Sequence, residues 1–193
     1  MRRLSSFIVL SSCLAGGLLS GCGDEPSARA PAEPTAQQEQ KLLALVSCPV
    51  GAVVTNYSPP LRSTPQAVTI QGQATFSNCV SVFDPGLTSA TNNFTINTTA
   101  YTCNDLLEIG SARTVVTWNT GETSTLVQTR VSSQVGSTTI VITYVGTVES
   151  GKYRGAVALR TLTYLSTDLD ACTSPEGLTQ MSGLTTLTLL GLP

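Results

Sequence analysis

From Ser47 onward the chain alternates short apolar and β-branched runs with turn residues. The period is two, that of half-buried strands rather than helices. The run 66–78 carries it most clearly. Val68, Ile70, Gly72, Ala74 and Phe76 fall on one face, and Thr69, Gln71, Gln73 and Thr75 on the other. The run 92–103 puts Phe94, Ile96, Thr98 and Ala100 in phase. The run 138–149 does so with Ile140, Ile142, Tyr144 and Val148, and the run 152–165 with Tyr153, Val157 and Leu159. Further strands are expected at 47–57, 112–118, 122–132 and 182–190. Turn residues separate them: Ser58-Pro59-Pro60, Asp84-Pro85-Gly86, the hairpin signal Asn119-Thr120-Gly121, and Ser150-Gly151.

About eight strands joined mostly by short turns pair antiparallel. The chain is therefore expected to be all-β, an antiparallel β-sandwich of about eight strands. An up-and-down β-barrel is the alternative. The sandwich is preferred because the long segments 79–91, 103–111 and 166–178 suit crossings between two sheets. The 29 threonines, with many Val, Ile and Leu, favour strands as well.

The pattern stops short of the N-terminus. Residues 23–41, GDEPSARAPAEPTAQQEQK, hold no large apolar side chain and cannot bury enough surface to fold. Residues 22–41 are expected to be a disordered tether and 42–193 the all-β domain. A short helix over 36–46 is compatible with the composition. Before the tether, Arg2 and Arg3 precede an apolar stretch from Leu4 to Leu19 that ends in small residues, the anatomy of a signal peptide over 1–21.

Cysteine use sharpens this. Cys13 lies inside the apolar stretch and would leave with it. Beyond Cys22, four remain: Cys48, Cys79, Cys103 and Cys172. An even number in an exported chain reads as disulfides. With no close CxxC-like pair, a thiolate metal site is not expected. If strands alternate up and down, Cys48 and Cys79 lie at one end of the domain, and Cys103 and Cys172 at the other. Only same-end cysteines reach bonding distance, so Cys48–Cys79 and Cys103–Cys172 are the expected bridges.

Charge and composition exclude more than they assign. The formal net charge is −2. Loss of Arg2 and Arg3 with the leader leaves eight basic against twelve acidic side chains. Such a surface argues against nucleic acid as a partner. Histidine is absent altogether, which removes Ser-His-Asp and Cys-His catalysis and His-based metal sites. No catalytic residue, metal site or cofactor is assigned.

Leu19-Ser20-Gly21-Cys22 resembles the lipobox of bacterial lipoproteins. The resemblance implies diacylglyceryl attachment to the Cys22 sulfur, cleavage after Gly21 and residence at the cell envelope, with the membrane as partner. The strings Tyr57-Ser58-Pro59, Thr64-Pro65-Gln66, Phe76-Ser77-Asn78-Cys79 and Trp118-Asn119-Thr120-Gly121-Glu122-Thr123-Ser124 resemble a group of exported β-rich bacterial proteins of unknown function. That likeness implies an exported β-domain and assigns no activity.

Several side chains are candidates for chemistry. Asp168 and Asp170, with Glu176 nearby, are the residue types of a Ca²⁺ site or a carboxylate pair or, preferably, of a solvated loop. Asp105 and Glu108 read the same way, or as acids at a helix start. Trp118 suits either a binding groove or the edge of the core. Arg154 and Arg160, with Arg130 near them, read as an anion site or, preferably, as a solvated outer face. The leading expectation is a non-enzymatic, lipid-anchored binding or structural domain acting through outward faces and loops. The second is a carrier holding an apolar ligand in a barrel lumen. The third is a hydrolase using Asp168 and Asp170.

Overall fold

Pro49 is the first residue to shape the architecture. It has no N–H to give a ladder, and it interrupts what is otherwise one long strand. A computed structural model of the chain describes residues 43–108 and 110–191. The expected leader, Cys22 and the expected tether lie outside these residues. The strands are β1 (Leu43–Cys48), β2 (Val50–Leu61), β3 (Gln66–Ser77), β4 (Val80–Ser81) and β5 (Ala90–Tyr101). They continue with β6 (Ser111–Trp118), β7 (Thr123–Val135), β8 (Thr139–Gly151), β9 (Val157–Leu165) and β10 (Leu178–Gly191). Two 3₁₀ segments, Asn104–Leu106 and Ser166–Thr173, lie in the long connections. Residues 43–46, compatible with a helix end by composition, are strand. Among the described residues no helix is long and apolar enough to cross a membrane.

All pairings are antiparallel. The order β2-β3-β5-β6-β7-β8-β9-β10 closes on itself through a β10–β2 pairing, giving an eight-stranded up-and-down barrel. The two-sheet sandwich is not formed. Closure comes from β10, fourteen residues long. One edge pairs with β9 through Gly183–Leu190, and the other pairs with β2 through Leu178–Leu184. Beyond that point the second edge pairs with β1. The segments expected to cross between sheets instead cover the two barrel ends.

The same register runs through β1–β2 against β3–β4. Val50 faces Ser77, Ser47 faces Val80 and Val46 faces Ser81. Cys48 and Cys79 stand opposite each other in that register, with Cα atoms 4.0 Å apart, and are bridged. Cys103–Cys172 is bridged at the other end, Cα–Cα 6.1 Å. Both pairings follow from the alternation of strands, as expected. Two disulfides mark an oxidising, non-cytoplasmic compartment.

The Cys48–Cys79 end is closed and densely filled. Trp118, Leu87, Leu126, Val148, Leu187 and Leu189 are all 1% exposed or less. Trp118 thus belongs to the core. Its indole N–H donates to Ser124 Oγ at 2.8 Å, and its ring meets Tyr153 edge-on at 5.7 Å. The hairpin Asn119–Glu122 turns through Gly121 at φ +86°, a conformation glycine adopts without strain. Asn119 Oδ1 accepts from the Thr88 and Ser89 amides, tying the segment after β4 across this end. Lys152 donates to Asp84 Oδ2 at 2.6 Å and to Glu122, fastening the same segment to two turns.

Candidate functional site

The barrel interior changes character from the closed end to the other. Inward positions alternate along every strand. Near the Cys48–Cys79 end they are apolar. Half-way up, one polar side chain enters from each of several strands: Asn92 from β5, Thr114 from β6, Gln128 from β7, Arg160 from β9 and Thr185 from β10, all buried. Above them the inward residues are, Thr55 of β2 apart, mostly apolar and aromatic, with Tyr57, Tyr144 and Tyr164 at the Cys103–Cys172 end.

Two cavities lie in this upper half. The first, ≈ 110 Å³, is walled by residues that include Ile70, Ile142, Leu162 and Met181. The second, ≈ 80 Å³, reaches the polar belt and is lined by Thr114, Gln128 and Arg160. They share Thr55, Phe94, Ile96, Tyr144, Leu162 and Tyr164 as walls, so they adjoin. Burial raises the phenol pKa values of Tyr57, Tyr101 and Tyr164, so these hydroxyls are neutral. Tyr57 Oη donates to Met181 Sδ at 3.6 Å.

The wall has a gap. β5 pairs with β6 only through Ala90–Asn93 against Val115–Trp118. Above this the two strands part, and a wider recess of ≈ 270 Å³ lies at the parting, bordered by Ile96, Thr98, Tyr101, Ala112, Arg130 and Tyr144. Ile96 points the way its phase predicts, but it is 40% exposed because no strand covers it here.

A lid made from residues 102–108 covers the upper end. Asp105 Oδ2 accepts from the Thr102 amide at 2.6 Å and its hydroxyl at 2.8 Å, which starts the 3₁₀ turn. That is the helix-start reading of Asp105. Leu106 is buried beneath the turn. Arg130 Nη1 reaches up from β7 to the carbonyls of Asp105, Leu106 and Glu108, at 3.2, 2.6 and 2.6 Å. Its Nε and Nη2 donate to Tyr144 Oη at 3.2 and 2.8 Å. The Cys103–Cys172 bridge joins this lid to the 3₁₀ segment Ser166–Thr173, whose Leu169 also lines the larger cavity.

Arg160 is 6% exposed and belongs to the lumen, not to a solvated outer face. The expected strand phase of Tyr153, Val157 and Leu159 is thereby corrected. Ala158, Arg160, Leu162 and Tyr164 point inward, and Leu159 is 36% exposed. The apolar residues on both faces of β9 hid the phase, and a shift of one residue turns every side chain over. Arg154 lies in the exposed turn before β9 and shares no face with Arg160.

Arg160 Nη1 donates to Asn92 Oδ1 at 3.2 Å and Nε to Thr185 Oγ1 at 3.4 Å. Its guanidinium lies 5.8 Å from the Phe76 ring centre. Burial lowers its pKa, yet an arginine remains a cation at neutral pH. The ion pairs among the described residues involve Arg113 with Glu149 and Lys152 with Asp84 and Glu122; none includes Arg160.

The acidic candidates of the 166–178 segment are placed differently. Asp170 and Glu176 are exposed, and Asp168 is half-buried, with its carboxyl pKa raised by desolvation. Among the described residues no three His, Cys, Asp or Glu side chains converge as a metal site would require. Sequence reasoning missed Asn92, Thr114, Gln128 and Thr185. The signal was present: each shares the phase of inward apolar neighbours, Phe94, Val116, Leu126 and Leu187 respectively. In comparisons with known proteins, no family model, no curated protein and no solved structure matches this chain.

Proposed function

We propose that this protein is an exported, lipid-anchored binding protein that holds a small apolar molecule in the lumen of its barrel, without catalysis. The observation that carries the reading is the pair of adjoining cavities under the lid, opened to the side where β5 and β6 part. An apolar cavity of about 150 Å³ is known to take up benzene, so cavities of ≈ 110 and ≈ 80 Å³ sharing one wall suit a molecule of about one ring. Among the described residues, the outward face, the first expectation from sequence, carries a groove of ≈ 260 Å³ bordered by Val50, Thr161, Thr163 and Leu184, but it is more open to solvent than the lumen cavities.

The anchor fits this reading. Its sulfur is Cys22, within a lipobox-like string. Several acyl chains on one residue hold a protein stably at a membrane. β1 enters at the closed end, beside Cys48–Cys79. Leu43, where β1 begins, therefore lies at the end away from the lid.

The test is calorimetric titration of the mature protein with benzyl alcohol. Saturable binding is expected, and Ile142→Trp, which fills the upper cavity, abolishes it. Absence of saturable binding by the unaltered protein would overturn the reading.

A further inference from the structure

We infer that the lumen recognises the carboxylate of a small amphiphilic monoanion, gripped by Arg160 and Thr114, with the apolar part of the ligand directed into the upper cavity. This rests on the lumen-binding reading above and names the class of molecule bound.

Two of the three buried side-chain polar atoms without a partner among the described residues are Arg160 Nη2 and Thr114 Oγ1. Both residues line the same ≈ 80 Å³ cavity. Buried polar groups in folded proteins almost always find partners, and those that do not call for an explanation. Here the two residues come from different strands and line one space. Both can donate a hydrogen bond. A carboxylate has two oxygens that accept, and no proton to clash with either donor.

Charge points the same way. A desolvated guanidinium facing only neutral partners, Asn92 and Thr185, is unfavourable unless an anion joins it. No carboxylate of the described residues fills that role. The guanidinium is planar and matches a planar carboxylate. A doubly charged phosphate ester would call for a second free cation, but Arg130 is occupied by three lid carbonyls and Tyr144. The ligand is therefore a monoanion. Its apolar part has one covered direction, past Phe94 and Leu162 into the upper cavity, whose other walls include Ile70, Ile142 and Met181.

Benzoate and benzyl alcohol are the probes. They share a ring and differ in the anionic head. Calorimetric titration of the mature protein at pH 7 is expected to show benzoate binding at least about tenfold tighter than benzyl alcohol, as a charge-assisted bond in a dry site implies. Arg160→Met removes the charge but keeps the length and is expected to erase that preference while benzyl alcohol still binds. Thr114→Val is expected to reduce the preference several-fold. Arg160→Met also separates recognition from architecture. Removing an unpaired buried cation raises the melting temperature of the ligand-free protein, whereas removing a structural strut lowers it.

If the unaltered protein binds both probes equally, the carboxylate inference fails and the lumen reading stands. If it binds neither, the lumen reading itself fails. If Arg160→Met does not fold, as judged by Trp118 fluorescence, Thr114→Val carries the test, and an unchanged preference in that variant overturns the inference. A destabilised Arg160→Met that keeps the preference overturns it too, assigning Arg160 to structure.

Discussion

The ring of Phe94 occupies the space where a side chain on Gly72 would stand. The two residues face each other across β3 and β5. A Cβ on Gly72 would lie 2.0 Å from Phe94 Cζ and 2.2 Å from Cε1. The glycine in the otherwise regular alternation of 66–78 therefore seats an aromatic ring that lines both lumen cavities. Gly72→Ala is expected to displace the ring and destabilise the fold by about 1–3 kcal/mol, the usual cost of overpacking. Urea unfolding followed by the fluorescence of Trp118, the one tryptophan, checks it. Phe94→Ala, in contrast, enlarges the space that both cavities border and is expected to admit a larger guest than benzyl alcohol, such as naphthalene-methanol.

The disulfides hold the two ends by closing chain loops in the unfolded state. Their sequence separations are 31 and 69 residues. The chain-entropy relation gives each about 3.5–4.5 kcal/mol. Replacing either pair by alanines is expected to lower stability by roughly this amount, slightly more for Cys103 with Cys172. Chemical denaturation of the two double variants tests the order.

Acid is expected to loosen the closed end. The Lys152 ammonium between Asp84 and Glu122 holds both carboxyl groups below the usual carboxylate range, and they in turn raise the lysine. Depressed carboxylate pKa values stabilise the fold above their unfolded values, near pH 4, and the stabilisation is lost as pH falls through the folded values. The raised lysine adds stability below about pH 10 that is lost only at higher pH. The melting temperature of the unaltered protein should therefore exceed that of Lys152→Met at pH 7, with the gap closing below about pH 4. A gap that stays constant from pH 7 to pH 3 would refute this.

Arg130 fastens the lid to the barrel wall. Its bonds to three lid carbonyls have no replacement in Arg130→Met. Loss of charge-assisted bonds costs about 1.5–3 kcal/mol each when the acceptor stays buried, and less where water reaches it. The expected result is faster amide hydrogen exchange at Leu106 and Leu107, with little change in the β2–β3 ladder. Uniform acceleration across the barrel would instead mark Arg130 as a global stabiliser.

The proposed anchor has a direct assay. Protein purified from the membranes of its own host should have the mass of residues 22–193 plus acyl groups, and should gain four hydrogens on reduction of the two disulfides. Cys22→Ser should appear uncleaved or soluble. A soluble, unacylated product of the unaltered chain would remove the lipid from the reading and leave the barrel intact.

Several features were legible from residue order alone. The all-β class follows from period-two alternation, a local property of strands. The inward phase of β3 and the turn at Gly121 are local in the same way. The cysteine pairing was legible because up-and-down alternation limits which ends can meet. What tertiary structure decided was closure and what closure encloses. Whether β10 reaches β2 depends on its length and tilt relative to strands more than 100 residues away, which no local pattern encodes. Arg160 shows the limit most clearly. Apolar residues flank it on both phases of β9, so only the closed barrel determines that it faces inward. The parting of β5 from β6 and the placing of Arg160 and Thr114 along one cavity are likewise consequences of closure, because they depend on separations that only the assembled barrel sets.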